Sequence, residues 1–185
     1  MHVHGFAPLA DASSRVLILG TMPSKASLRA HQYYAHPRNL FWPLMAEILA
    51  VDATAPYEQR VEQLLASGVA LWDVLEACTR GSSLDSDIVA SSALPNAFDA
   101  FLELHPSLRA ICFNGAKAEA LFHKHVRSTL ALSSGIARVR LPSTSPANAA
   151  IPRAKKVETW RIIATFIQVG ERGGSGALVR PFQTE

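Results

Sequence analysis

Tyr33, Tyr34, His36, Arg38 and Asn39 fall within seven consecutive positions, immediately ahead of the apolar pair Phe41-Trp42. Two phenol rings, an imidazole, a guanidinium and a side-chain amide at that density combine flat stacking surfaces with hydrogen-bonding heads, a set suited to a planar heterocycle. Phe41 and Trp42 read as core anchors, because they open a helix whose apolar face must pack. A second set, Thr21-Met22-Pro23-Ser24, follows Gly20. Small and rigid residues directly after a strand let backbone N–H groups approach a ligand closely. Neither a dinucleotide fingerprint nor a Walker loop is present, and a plain proline turn fits the composition equally well.

Three further segments bring polar groups to strand ends. Asp73 closes an apolar run, with Cys78, Thr79, Arg80 and Ser82 behind it. A carboxylate there can accept a ring N–H, or it can be a turn acid, and Asp85 reads as a turn or capping acid. Cys78 reads as a buried small hydrophobe. Asn114-Gly115-Ala116-Lys117 is a strand–turn–helix junction, where Asn114 either faces a ligand or caps the helix. Pro142-Ser143-Thr144-Ser145-Pro146 is a stiff hydroxyl-rich loop that can press against a phosphodiester, with Arg153, Lys155 and Lys156 close behind.

The elements needed to hold these segments alternate along the chain. Apolar runs over 15–20, 69–74, 108–113 and 136–141 read as strands, the last with the weaker alternation of a sheet edge. Between and after them, helices are expected near 25–31, 40–49, 57–67, 95–104, 115–126 and 154–167, with 78–87 as a loop. Strands alternating with helices predict an α/β fold, a three-layer α/β/α sandwich around a four-stranded parallel sheet. Ligands in such sheets gather beyond the carboxyl ends of the strands, where all the segments above lie.

The chain has 185 residues, 49% of them hydrophobic, enough for one core: a single domain is expected over 1–169, with 170–185 as a glycine-rich tail. No apolar run approaches the ~20 residues of a membrane span. Nothing at the N-terminus resembles a secretion signal, so a cytoplasmic location is expected. Two cysteines, Cys78 and Cys112, cannot make a disulfide scaffold or a four-cysteine metal site, and neither a metal nor a cofactor is expected. The net charge of +3 divides into +2 over 1–50, −6 over 51–110 and +7 over 111–185. If the basic ends share a face, that face can hold phosphates while the acidic middle points away.

Taken together, GTMPS after the first strand, YYAHPRNLFW beyond it, ALWDVLEACTRGSSLD around the second, FNGAKA after the third and LPSTSPAN after the fourth resemble the uracil-DNA glycosylase superfamily, and within it the hypoxanthine (deoxyinosine) branch. The resemblance runs from about His4 to Arg161; YYAHPRNLFW and STSPAN are its specific parts. It implies removal of a deaminated base from DNA by hydrolysis of the N-glycosidic bond. Many superfamily members carry an acid or amide in the loop after the first strand, and Thr21–Ser24 supply neither. In the hypoxanthine branch the asparagine of the HPxN segment compensates, which points to Asn39 as the catalytic residue.

An amide cannot be a general base, so Asn39 would orient a water and turn its carbonyl dipole toward an oxocarbenium-like sugar. The expected base pocket comprises Thr21, Met22, Pro23, Ser24, Asp73 and Asn114, with Tyr34 stacking on the ring and Tyr33 or Phe41 as its alternates. Lys25, His36, Arg38, Lys117, Ser143, Thr144, Ser145, Pro146 and Arg153 are the expected DNA contacts. The loop departs from the histidine-bearing version of several branches, so leaving-group stabilisation falls to backbone amides or His36. The partner is DNA holding a deaminated base, and a monomer suffices. The alternatives are a uracil-preferring enzyme of the same fold, or a silent module that binds damaged DNA through Arg38, Lys117, Arg153, Lys155 and Lys156. A serine or cysteine hydrolase would need a nucleophile elbow, and no GxSxG is present.

Overall fold

The computed structural model describes residues 1–126 and 135–168. Its centre is a four-stranded, all-parallel sheet of β2 (Val16–Gly20), β3 (Val69–Asp73), β6 (Ala110–Asn114) and β7 (Ala137–Leu141), in the order β3-β2-β6-β7. β2 and β3 are buried at every position, as continuous apolar runs require when both sheet faces are covered. β7 lies at the edge with alternating exposure, the reason its hydrophobic pattern is weaker.

Successive residues of β2 feed opposite cores. Val16 and Ile18 join a cluster built by α2 (Phe41–Leu49), α3 (Tyr57–Ala66), α6 (Arg153–Trp160) and α7 (Ile162–Gln168), holding Phe41, Leu64, Trp160 and Ile163. Leu17 and Leu19 join a second cluster with α4 (Phe98–Leu104) and α5 (Ala116–His125), holding Trp72, Phe98, Phe101 and Phe122. The sequence is thus an α/β/α sandwich of the expected kind. α1 (Lys25–Ala30) is short, and Ser24 caps it by accepting Ser27 N–H at 3.1 Å.

Two features differ from the expectation. Cys78 and Thr79, expected in a loop, end a strand, β4 (Leu75–Thr79), central to a small antiparallel sheet between β1 (His2–His4) and β5 (Leu94–Pro95). Its partner His2–His4 lies more than 70 residues away in the chain, so no local pattern reveals it. The single helix expected over 154–167 is two, α6 and α7, divided at Arg161. The tail expected over 170–185 lies outside the described residues. No helix among them is long and apolar enough to cross a membrane.

Candidate active site

Register aligns the strand ends. Gly20 pairs with Asp73, and Asn114 with Leu141, so the segments that follow emerge on one rim of the sheet. A pocket opens there, lined by Thr21, Met22, Pro23, Ser24, Tyr34, Asn39, Asp73, Asn114, Ser143, Thr144 and Ser145 from the expected set. Gly20, Ser27, Tyr33, Ser83 and Asp85 complete its wall. Gly20 is needed for steric reasons: a Cβ there would collide with Asp73 Oδ1 and reach 3.4 Å from the Tyr34 hydroxyl.

The aromatic segment is locked from several sides. Tyr33 is 3% exposed; its hydroxyl donates to the Ala7 carbonyl at 3.2 Å and its N–H to the Tyr57 hydroxyl at 3.0 Å. Trp42 Nε1 donates to the Tyr33 carbonyl at 3.1 Å. Tyr34 follows with φ +56°, a left-handed conformation that non-glycine residues adopt at a cost and that clusters at ligand sites. Its ring stacks on Phe41 at 4.1 Å and lines the pocket, and its hydroxyl is buried beside the Asn114 side chain. Burial holds that phenol well above the ordinary tyrosine range. Phe41 is fully buried beneath Tyr34 and does not line the pocket, so its expected place as a base-stacking alternate is corrected to that of a support.

Asn39 closes a turn, its N–H donating to the His36 carbonyl at 2.8 Å. Its side-chain Oδ1 accepts the Phe41 N–H at 2.9 Å, which fixes the amide at the start of α2. Among the described residues this is its only side-chain bond, so one lone pair of that oxygen and both amide hydrogens remain for a ligand or water.

The 142–148 loop is fastened by a chain of hydrogen bonds. Asn114 Nδ2 donates to the Thr144 hydroxyl and the Thr144 N–H donates to Asn114 Oδ1, both at 2.9 Å; Leu40 N–H donates to the Thr144 carbonyl at 3.0 Å. From α6, Trp160 Nε1 donates to the Pro142 carbonyl at 2.9 Å and Lys156 Nζ to the Asn148 carbonyl at 2.7 Å. Lys156 is therefore a buried tether and not the phosphate contact its charge implied. Asn114 lines the pocket but spends its amide on both Thr144 bonds, which makes it first a positioning residue for the loop.

The floor is acidic. Asp73 is 3% exposed and its Oδ2 has no partner among the described residues. Burial, reinforced by the nearby Asp85 charge and opposed by Arg80, pushes its carboxyl up to about 8. Asp85 accepts the Thr21 hydroxyl at 2.9 Å and is also raised by burial. Asp85 thus lines the pocket, where the sequence reading made it a turn acid, and the acidic middle of the chain sends two carboxyls into the site instead of facing away. Sequence reasoning also missed the weight of Arg80, which is 1% exposed and donates through Nη2 to the Pro23 carbonyl, propping the Thr21–Ser24 loop. Its only sequence signal is a lone cation after an apolar strand.

Of the expected DNA contacts, Lys25, His36, Arg38, Lys117, Pro146 and Arg153 stand outside the pocket lining. Arg38 and Lys117 are exposed. Lys25 Nζ donates to the Gly81 carbonyl at 3.0 Å, His36 Nδ1 accepts the Arg38 N–H at 3.1 Å, and Arg153 pairs with Glu47 at 2.8 Å. An exposed pair of that kind holds its partner by only about 0–1 kcal/mol, so a phosphate can displace the carboxylate.

This architecture matches a known family. The family model of the uracil DNA glycosylase superfamily matches residues 7–164. The chain belongs to the uracil DNA glycosylase superfamily. It is 34% identical over 160 residues, 86% of this chain and 96% of the relative, to a hypoxanthine DNA glycosylase of Methanosarcina acetivorans. It is 37% identical over 119 residues, 64% of this chain and 74% of the relative, to one of Methanosarcina barkeri. A solution NMR structure from Methanosarcina acetivorans, described as a candidate uracil DNA glycosylase, superposes with a TM-score of 0.75 at 33% identity, covering 90% of this chain and 99% of that one. In this superfamily member the rim of the parallel sheet carries the pocket, the loop from Pro142 and the Tyr33–Asn39 segment as one connected unit.

Proposed function

We propose that this protein hydrolyses the N-glycosidic bond of a deaminated base in DNA, hypoxanthine foremost, and leaves an abasic site. The observation that carries this is the convergence of Asn39, Tyr34 and Asp73 in one strand-end pocket of a chain from this superfamily. Its similarity to two proteins named hypoxanthine DNA glycosylase supports the choice of base. The flipped nucleotide enters the pocket, and its base stacks against the Tyr34 ring. As the C1′–N bond breaks, its electron pair leaves with the base and positive charge develops on the sugar. Asn39, its carbonyl fixed by Phe41 N–H, orients a water and points a dipole at that charge. The water oxygen bonds to C1′, and its proton passes to solvent or to the departing base. Arg38, Lys117 and Arg153 supply phosphate contacts, and one protomer suffices for one flipped base.

A single-turnover assay on duplexes carrying hypoxanthine, uracil or xanthine tests this reading. Abasic product with hypoxanthine fastest supports it. Preference for uracil moves the specificity within the same fold, and salt-dependent binding with no product from any duplex refutes the enzymatic reading.

A further inference from the structure

Asp73 sits at the end of β3, against Gly20 and inside the pocket, with one buried oxygen that no donor among the described residues meets. An ionised carboxylate buried in that way would ordinarily collect several N–H or O–H donors. The groups facing it from the surrounding elements do not provide them. Asp85, from the turn after β4, is itself an acid and takes the Thr21 hydroxyl. Arg80, beyond β4, commits Nη2 to the Pro23 carbonyl and reaches neither carboxylate within ion-pair distance among the described residues. The Tyr33 hydroxyl is spent on Ala7, and the Tyr34 hydroxyl makes no hydrogen bond to it. The site is built for an acid that keeps its proton.

An uncharged carboxyl group presents one donor and one acceptor side by side in a plane. Deamination gives a base the complementary edge, a ring carbonyl oxygen next to a ring N–H. Two parallel hydrogen bonds form between them, whereas an ionised carboxylate keeps one and opposes the ring oxygen with its second. We propose that Asp73 recognises the flipped base as the uncharged acid, its hydroxyl donating to the ring carbonyl oxygen and its carbonyl oxygen accepting the ring N–H, so that recognition is lost when Asp73 ionises. This rests on the reading above that the pocket takes a deaminated base. Rejection of the parent amino base falls to other donors, such as the backbone N–H groups of Met22 and Ser24, because the acid proton can sit on either oxygen.

The experiment compares kcat/KM from pH 6 to 10 for the wild type and Asp73→Asn on a hypoxanthine duplex. The side-chain amide of the variant offers the same donor and acceptor at every pH. Substrate titration and any general loss of DNA binding affect both proteins alike, so the ratio of wild type to variant is the readout. It is expected to fall about tenfold per pH unit above the Asp73 transition. A flat ratio overturns the proposal. Carbon-13 carboxyl NMR of the wild-type protein reads the same group directly, whether or not the variant folds: a transition near pH 8 supports the proposal, and one near pH 4 overturns it. Base release with a flat ratio refutes this inference alone, while no release from any duplex at any pH refutes the functional reading beneath it.

Discussion

Replacing Asn39 by alanine removes two things at once, and the structure separates them. The Oδ1 that accepts Phe41 N–H at 2.9 Å satisfies a donor at the start of α2. Losing a bond of that kind costs about 1 kcal/mol of stability, which lowers the melting temperature of a chain this size by about 2–4 °C. If the same amide also holds the attacking water and faces the developing charge, its loss removes a dipole aimed at the transition state, worth about 100- to 1,000-fold in rate. Single-turnover base release and thermal denaturation measure the two effects on the same samples. Asn39→Ser divides them further, because a serine hydroxyl can accept the same backbone N–H in an equivalent turn. The serine variant is expected to recover most of the lost stability and little of the lost rate. Recovery of near-wild-type rate by serine would refute the argument, showing that the amide serves only to start the helix.

Gly20→Ala would drive a methyl group into Asp73 Oδ1. Overpacking of that kind costs about 1–3 kcal/mol, and base release is expected to slow more than duplex binding weakens, as fluorescence anisotropy and single-turnover assays together would show. Asp73→Asn should raise stability, and by more at pH 8 than at pH 5. The folded Asp73 binds its proton more tightly than the unfolded chain does, so native stability declines as pH rises from the ordinary carboxylate range toward about 8, and the amide abolishes that decline. Denaturant titrations at the two pH values check the sign. Arg38→Ala and Arg153→Ala are each expected to reduce the slope of log affinity against log salt by about 1, with the smaller loss of affinity at Arg153, which must first leave Glu47.

The strands and their order of chemistry were legible because both depend on short-range patterns. Val16–Leu19 and Val69–Trp72 are apolar runs buried at every position, as the strands of a parallel sheet covered on both faces are. From there the strand-end rule directs attention to Thr21, Asp73, Asn114 and Ser143, all of which line the pocket. The aromatic segment likewise advertised Tyr34 and Asn39 by type and spacing. Less visible were roles that depend on what a side chain meets across the fold. Lys156 and Arg153 are three residues apart and look alike in sequence, yet one is buried on the Asn148 carbonyl and the other is exposed beside Glu47. Phe41 was open to two readings until Tyr34 was seen stacked on it.

By itself the sequence determined the sandwich, the rim on which the chemistry lies and the residues that resemble those of a deaminated-base glycosylase. Periodicity, glycine punctuation and residue type carry that information locally. Tertiary structure decided the charge state of the site. Asp73 and Asp85 are ordinary acids in the chain, and only the long-range pairing of Gly20 with Asp73, together with the strand from Leu75 to Thr79 that carries the chain on to Arg80 and Asp85, buries them in one another's field. Desolvation and charge coupling depend on distance in space, which no spacing along the sequence encodes.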